Sequence, residues 1–431
     1  MSQKTSIEEA RAIEILDSRG NPTLRAYVKL ESGIIGSANV PSGASTAENE
    51  AVELRDGDRL RYGGKGVLKA VSHVTEVISP RIRGMDVCDQ AALDRALMEL
   101  DGTEHLSRLG ANAVLGVSTA AARAAAAAVG RPLYEYLGDG NQPRRLPMPL
   151  MNVINGGKHS PNNLAFQEFM IVPLGADTFS EAVQLGVETY HSLAGILRDK
   201  KLLSGVGDEG GFAPQLASNA EACELLVAAI QAAGYRPGED VAIAIDPAPN
   251  TFYSPAGYDL SATGEGVLSS AQLLKIYLAW IEKYPLVSIE DGFAETDWEG
   301  FRRLNTAVGD RIQLIGDDLY ATNPTLIRKG IQLDATNAVL IKLNQIGTVT
   351  QTVEAIQLCR EVGWNYIISH RSGETDDSFI ADFSVAMGGG QIKTGAPCRG
   401  ERVAKYNRLL EIEAESGARV DFHNPFARRD A

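Results

Sequence analysis

Residues 338–347 read AVLIKLNQIG. Ala338, Val339, Leu340 and Ile341 have the composition of a strand buried on both faces, and Lys342 follows at once with apolar Leu343 behind it. An ammonium in apolar surroundings is strongly disfavoured unless a counter-charge compensates it. The stretch therefore predicts that Lys342 points into a group of carboxylates, and the rest of the chain supplies them.

From about residue 145 onward, eight short apolar segments recur: LPMPLMNVI, FQEFMIVPL, VAIAID, YPLVSIED, IQLIGDD, AVLIKLN, NYIISH and GGQIKTG. Helical stretches separate most of them. Eight strands in β/α alternation predict a closed barrel of the TIM type, with a doubly wound open sheet as the alternative. Each of the last six segments carries an ionisable residue at or near its end: Asp246, Glu290, Asp317, Lys342, His370 and Lys393. In a barrel those ends converge on one face, where the active sites of this architecture lie. Only about a dozen residues, NGGKHSPNNLAF, join the first two segments, too few for a helical crossover. We read the second strand as antiparallel, which brings Glu168, at its start, to the same face.

Residues 1–135 read as a smaller unit, and 136–431 as the barrel. AIEILDSRGNPTLRAYVKLESGIIGSANV has the alternation and breaks of an antiparallel meander, and residues 65–84, 88–99 and 111–128 have helical periodicity. The fold class is thus α/β: a C-terminal TIM-type barrel with an antiparallel second strand, capped by an N-terminal α+β domain. The small-residue loop PSGASTAENE, 41–50, is a candidate lid in which Ser45 offers an oxygen.

Composition narrows the function. The 431 residues are 44% hydrophobic and 22% charged, with 41 basic and 55 acidic side chains and a formal charge of −14. Such a field attracts neither nucleic acid nor an anionic membrane surface. The four cysteines form no CxxC pair, which fits reduced thiols in a cytoplasm. The start, MSQKTSIEEARAIEIL, has no apolar signal-peptide core, and the alanine-rich run at 120–130 is short and contains Arg123, so a membrane span is not expected.

The candidate site residues point to metal-assisted proton transfer. Asp246, Glu290 and Asp317, three carboxylates on successive strand ends, are the oxygen ligands a hard divalent cation such as Mg²⁺ takes. GVGDEGGFAP, 205–214, contains a literal GxGxxG, but the polar helical LRDKKLLS before it and the acidic pair Asp208-Glu209 within it exclude a dinucleotide fingerprint. The glycines instead allow Glu209 to approach a ligand. In SHRSGETDD, 369–377, Arg371 and Ser372 suit a phosphate, and His159 lies in the short loop facing the site. Glu168, Glu209, Asp246, Glu290 and Asp317 outnumber Lys342, Arg371 and Lys393 by two charges, and two Mg²⁺ would reverse the sign. The site would then accept a phosphorylated carboxylic acid. A lysine near such cations has its pKa lowered and can remove a proton beside a carboxylate.

At these residues the sequence closely resembles the enolase family, through ILDSRGNPT, VPSGAST, GVGDEGGFAP, VSIED, GDDL, IKLNQIG, SHRSGET and GQIKTGAPCR, in order along nearly the whole chain. The resemblance implies interconversion of 2-phosphoglycerate and phosphoenolpyruvate. On matching positions it implies Lys342 as the base at C2, Glu209 as the acid at the C3 hydroxyl, and Glu168 in support. It further implies Asp246, Glu290 and Asp317 on one Mg²⁺, Ser45 on a second, and His159, Gln167, His370, Arg371, Ser372 and Lys393 around the substrate. A cytoplasmic homo-oligomer, a dimer or an octamer, is implied as well. Ala47 stands where the family's lid has glycine, and Lys158 and Pro161 depart from its second loop. These changes keep a related phosphorylated or phosphonylated acid, as used by a carboxyphosphonoenolpyruvate synthase, as the alternative substrate.

Overall fold

The structure is a computed structural model that describes residues 5–43, 47–138, 144–203, 205–417, 420–422 and 424–426. Ser45 lies outside the described residues.

Three antiparallel strands open the chain: β1 (Ile7–Leu16), β2 (Pro22–Leu30) and β3 (Ile35–Asn39). One face of this meander is covered by the helix Ala111–Ala128, which is buried along nearly its whole length. Its alanines allow a close approach, and Gly36 permits the contact: a Cβ there would stand 2.1 Å from the Ala120 carbonyl oxygen.

Eight strands then close a barrel: β4 (Met148–Asn155), β5 (Glu168–Val172), β6 (Ala242–Asp246), β7 (Leu286–Glu290), β8 (Gln313–Gly316), β9 (Ala338–Ile341), β10 (Asn365–Ser369) and β11 (Gln391–Lys393). The expected barrel is present, and all eight sequence segments supply a strand. β5 is antiparallel to both neighbours, pairing Asn155 with Glu168 and Glu168 with Asp246. Every other pairing in the barrel is parallel. The antiparallel strand has a topological consequence. β5 ends at the face opposite to the one where it starts, so two helices, Phe179–Asp199 and Asn219–Ala232, are needed before β6. The turn between them carries Glu209 back to the mouth.

Strand parity decides what faces inward. In β9, Ala338 and Leu340 join an interior cluster with Met148, Leu150, Met170, Val172, Ala244, Ile315 and Ile367, whereas Val339 and Ile341 join the core shared with the surrounding helices. Lys342, one step further, falls on the inward side. Register extends this across the sheet, since Glu290 pairs with Ile315, Lys393 with Leu150 and Asp246 with Glu168. At the floor, Gln313 and Gln391 exchange side-chain hydrogen bonds of 2.9 and 2.8 Å, and Asn365 donates to Gln313 at 2.9 Å. Among the described residues, no helix is long and apolar enough to cross a membrane.

The meander block sits over the barrel mouth. Ser42 forms a β-bridge with Gly373, Arg123 pairs with Asp377, and the Ala51 amide donates to the Gln345 carbonyl.

Candidate active site

One pocket at the C-terminal strand ends is lined by His159, Gln167, Glu168, Glu209, Asp246, Asp317, Lys342, His370, Arg371, Ser372 and Lys393, with Asp291 and Asp318 beside them. The structure thus brings these sequence-expected residues together, Ser45 lying outside the described residues. Glu290 also belongs to the cluster, 2.8 Å from Lys393 Nζ. The order around the ring is β7-β8-β9-β10-β11-β4-β5-β6. Asp246, Glu290 and Asp317 therefore occupy one arc, at the ends of β6, β7 and β8. Lys342 follows on β9, and Glu168 on β5 stands four strands away, across the mouth.

The two lysines answer different carboxylates. Lys342, with its side chain 13% exposed, places Nζ 2.5 Å from Asp317 Oδ2. Burial alone would favour its neutral form, but Asp317 outweighs that and holds the lysine above its usual range. The base near neutral pH expected here was tied to cations beside the lysine; the Asp317 carboxylate by itself favours the ammonium. Lys393 lies among three carboxylates, 2.9 Å from Glu168, 3.2 Å from Asp246 and 2.8 Å from Glu290. Its neighbours override burial and hold its pKa well above normal.

Glu168 and Glu209 form the facing carboxyl pair, and His159 Nδ1 lies 3.6 Å from an oxygen of each. Burial, with the charge of Glu209, pushes Glu168 well up. Burial also acts on Glu209, but its contact with His370 and the charge of Arg402 hold it well below the carboxylate norm. Their surroundings thus push the two carboxyls apart, Glu168 up and Glu209 down. The 205–214 loop reaches β4 through its glycines: a Cβ on Gly207 would stand 2.6 Å from Asn155 Oδ1, and one on Gly211 2.9 Å from the Val153 backbone.

Many buried side-chain atoms without a hydrogen-bond partner collect here: Asn152 Oδ1, both polar atoms of the Asn155 amide, His159 Nδ1, Gln167 Oε1 and Glu290 Oε2. Buried polar groups elsewhere in proteins are nearly always satisfied, so such a concentration marks a place made to receive a polar ligand. The donor set fits a hard divalent cation, since oxygen ligands dominate and Glu290 Oε2 is buried with no donor. Among the described residues, the groups of three ligating atoms lying within 4.8 Å of one another are His159-Glu168-Glu209 and Asp291-Asp317-Asp318. The expected trio Asp246, Glu290 and Asp317 is not one of them. Lys393 bridges Asp246 and Glu290, while Lys342 pairs with Asp317.

Sequence reading missed several residues. Asp291, buried with φ of 36°, accepts the Asp317 and Asp318 amides at 2.9 and 2.7 Å and so shapes the β8 end. Glu50, the last residue of the candidate lid, forms a two-oxygen ion pair with Arg371, which also donates to Asn344 at 2.8 Å. Asn152 donates to Glu209 at 3.0 Å, and its inward polar position in an apolar strand was a readable signal. Glu50 and Asn344 carried none, because their partners lie far away in sequence. Of the departures, Ala47 is buried, with its amide on Glu50 Oε1, while Lys158 is exposed outside the pocket next to His159, which lines it.

Comparison with known proteins agrees with this geometry. Residues 7–137 match the family model described as "Enolase, N-terminal domain", and residues 143–430 match "Enolase, C-terminal TIM barrel domain". The chain is 58% identical over 419 residues to "Enolase 1" of Methylococcus capsulatus, and 55% identical over 420 residues to "Enolase" of Desulfotalea psychrophila. Each alignment covers 97% of this chain and 99% of the relative.

Proposed function

Because the chain belongs to the enolase family, we propose that the two sides of its barrel mouth divide the labour of that family's reaction. The chain is a lyase that interconverts 2-phosphoglycerate and phosphoenolpyruvate, the enolase step of glycolysis. In our assignment, neutral Lys342 takes the C2 proton, and the C–H electron pair passes into the substrate carboxylate. The C3–O bond then breaks, the pair returns to form the C2=C3 double bond, and the departing hydroxide takes a proton from the Glu168-Glu209 pair and leaves as water. Glu209 is the acid facing the hydroxyl and Glu168 its support and proton reservoir.

The observation that carries this assignment is the separation of Lys342 on β9 from Glu168 on β5 by four strands in a ring of eight. A base and an acid so placed address the two adjacent carbons of one bound molecule from opposite sides. Arg371 and Ser372 hold the phosphate, Lys393 the carboxylate side, and His159, Gln167 and His370 enclose the rest. The family uses Mg²⁺. Here Asp246, Glu290 and Asp317 would hold one ion, Ser45 a second, and together they would supply the positive charge that draws in the substrate and offsets the charge developing on its carboxylate. The ion on Asp317 would also remove the charge that now keeps Lys342 protonated. We place the division of the chain at 1–135 and 136–431, and we assign a cytoplasmic homo-oligomer on the family's pattern.

The test is the appearance of phosphoenolpyruvate absorbance from 2-phosphoglycerate, with Mg²⁺ and after chelation, beside Lys342→Ala. Turnover that needs the ion and vanishes in the variant supports the assignment. Turnover retained by Lys342→Ala would remove Lys342 as the base.

A further inference from the structure

Arg402 has one of the largest fully buried side chains in the molecule, and the reaction as assigned above does not use it. It belongs to the helix Gly400–Ser416, which follows β11. Its Nη1 lies 2.6 Å from His370 Nδ1 and donates to the Arg371 carbonyl at 2.7 Å. Its Nη2 donates to the carbonyls of Asp208 at 2.9 Å and Ser372 at 2.7 Å. One guanidinium thus ties together the loop that carries Glu209 and the loop that carries His370, Arg371 and Ser372.

The chemistry of this contact is one-sided. A guanidinium has only donors and stays protonated in proteins, so the imidazole nitrogen it meets at 2.6 Å must be an acceptor. Nδ1 is then unprotonated, and the ring's single proton is on Nε2. That nitrogen lies 3.2 Å from Glu209 Oε2. From this geometry we infer that Arg402 is a positioning residue that fixes His370 as the neutral, Nε2-protonated imidazole and presents that N–H to Glu209. The inference rests on the assignment of Glu209 as the acid and adds the residue that sets its proton inventory.

Charged groups flank the ring on both sides. Arg402 stands on the Nδ1 side, Glu209 on the Nε2 side, and Glu374, on His370's own loop, is paired with Lys405 at 2.9 Å. Burial, with Arg402 adding to it against the pull of Glu209, lowers the His370 pKa to about 4. A neutral ring cannot hand a charge to Glu209, but its N–H favours the carboxylate there. The two carboxyls are thus polarised in one direction, Glu168 held up and Glu209 held down, when a hydroxyl is bound. A residue that fixes a tautomer this way is a common device behind catalytic and metal-binding histidines.

The test is ¹⁵N NMR of the full chain carrying labelled histidine, with His370 assigned by its loss in His370→Asn. The expected spectrum has an unprotonated Nδ1 and a protonated Nε2, unchanged between about pH 8 and about pH 5. A Nδ1-protonated ring, or an imidazolium forming near the ordinary value of about 6.5, overturns the inference. In a second arm, Arg402→Gln is expected to lower kcat about 10–100-fold with KM nearly unchanged and to let His370 titrate, while Arg402→Lys restores part of both. An Arg402→Gln protein with wild-type kcat and the wild-type tautomer also overturns it. Should the variants fail to fold, the wild-type spectrum decides alone. Glu209→Gln separates the two claims: if it turns over normally, the acid assignment fails while the tautomer result stands.

Discussion

The two ends of the barrel solve the same problem in opposite ways. At the floor, inward polar side chains are neutral and answer one another: Gln313 and Gln391 exchange hydrogen bonds, and Asn365 completes the set. At the mouth, most inward side chains are ionisable, and buried atoms of Glu290, His159 and Gln167 have no hydrogen-bond partner. The barrel walls are the same, so the difference is one of purpose. A floor that satisfies itself stabilises the fold. A mouth that does not is preorganised for a ligand and is less stable until the ligand arrives.

The contrast can be broken most forcefully at Lys342. Lys342→Ala is expected to lower kcat by about 10²–10⁴-fold, the range for loss of a general base, while the melting temperature stays near wild type; a large loss of stability would mean that the lysine is structural. Glu290→Gln tests the open carboxylate itself. Mg²⁺ affinity, followed by calorimetry, is expected to fall at least about 10-fold with turnover falling alongside it. Metal-free stability is expected to hold, since the buried carboxyl, pushed well up by burial and by Asp246, gains little from ionisation. Unchanged Mg²⁺ affinity would exclude Glu290 as a ligand.

Asp377 sharpens the comparison, because it lies beside the mouth yet behaves as a floor residue. Both its oxygens are occupied, by Arg123 at 2.6 and 2.7 Å and by the Asn39 and Phe379 amides at 2.9 and 2.8 Å. Asp377→Asn is expected to cost about 3 kcal/mol of stability, read from urea unfolding, with activity per folded molecule retained. Burial pushes this carboxyl up, but Arg123 outweighs it and holds the folded pKa below normal. The stabilisation is therefore present above the unfolded value of about 3.9 and is lost as pH falls through the folded one. The stability difference between wild type and variant should shrink below about pH 4; a constant difference would exclude the ion pair as its source. The smallest effect belongs to the floor. Gln313→Leu leaves Gln391 and Asn365 without partners and is expected to cost about 1–3 kcal/mol with kcat unchanged, and a fallen kcat would mean the two ends are not independent.

Much of this was legible in the chain. The eight strands and the antiparallel β5 followed from apolar runs and the short NGGKHSPNNLAF connection. The inward aim of Lys342 followed from the cost of leaving it in an apolar environment. The mouth's ionisable residues stood out because each interrupts or ends an apolar run. Arg402 did not, since in CRGERVAKYNRLL it reads like Arg408, which lies partly exposed against Asp382. Nor did Glu50, whose partner Arg371 is 321 residues away.

What the sequence determined by itself was local: strand existence, alternation of faces, and the residue type at each strand end. All of these follow from the two-residue period of an extended backbone and from the burial preferences of single side chains. What only the tertiary structure decided was pairwise: that Lys342 meets Asp317 while Lys393 meets Glu168, Asp246 and Glu290, and that a helix beyond the last strand sends one arginine back to His370. Barrel closure fixes which strand ends face each other. Electrostatic interaction depends on that separation, and spacing along the chain does not encode it.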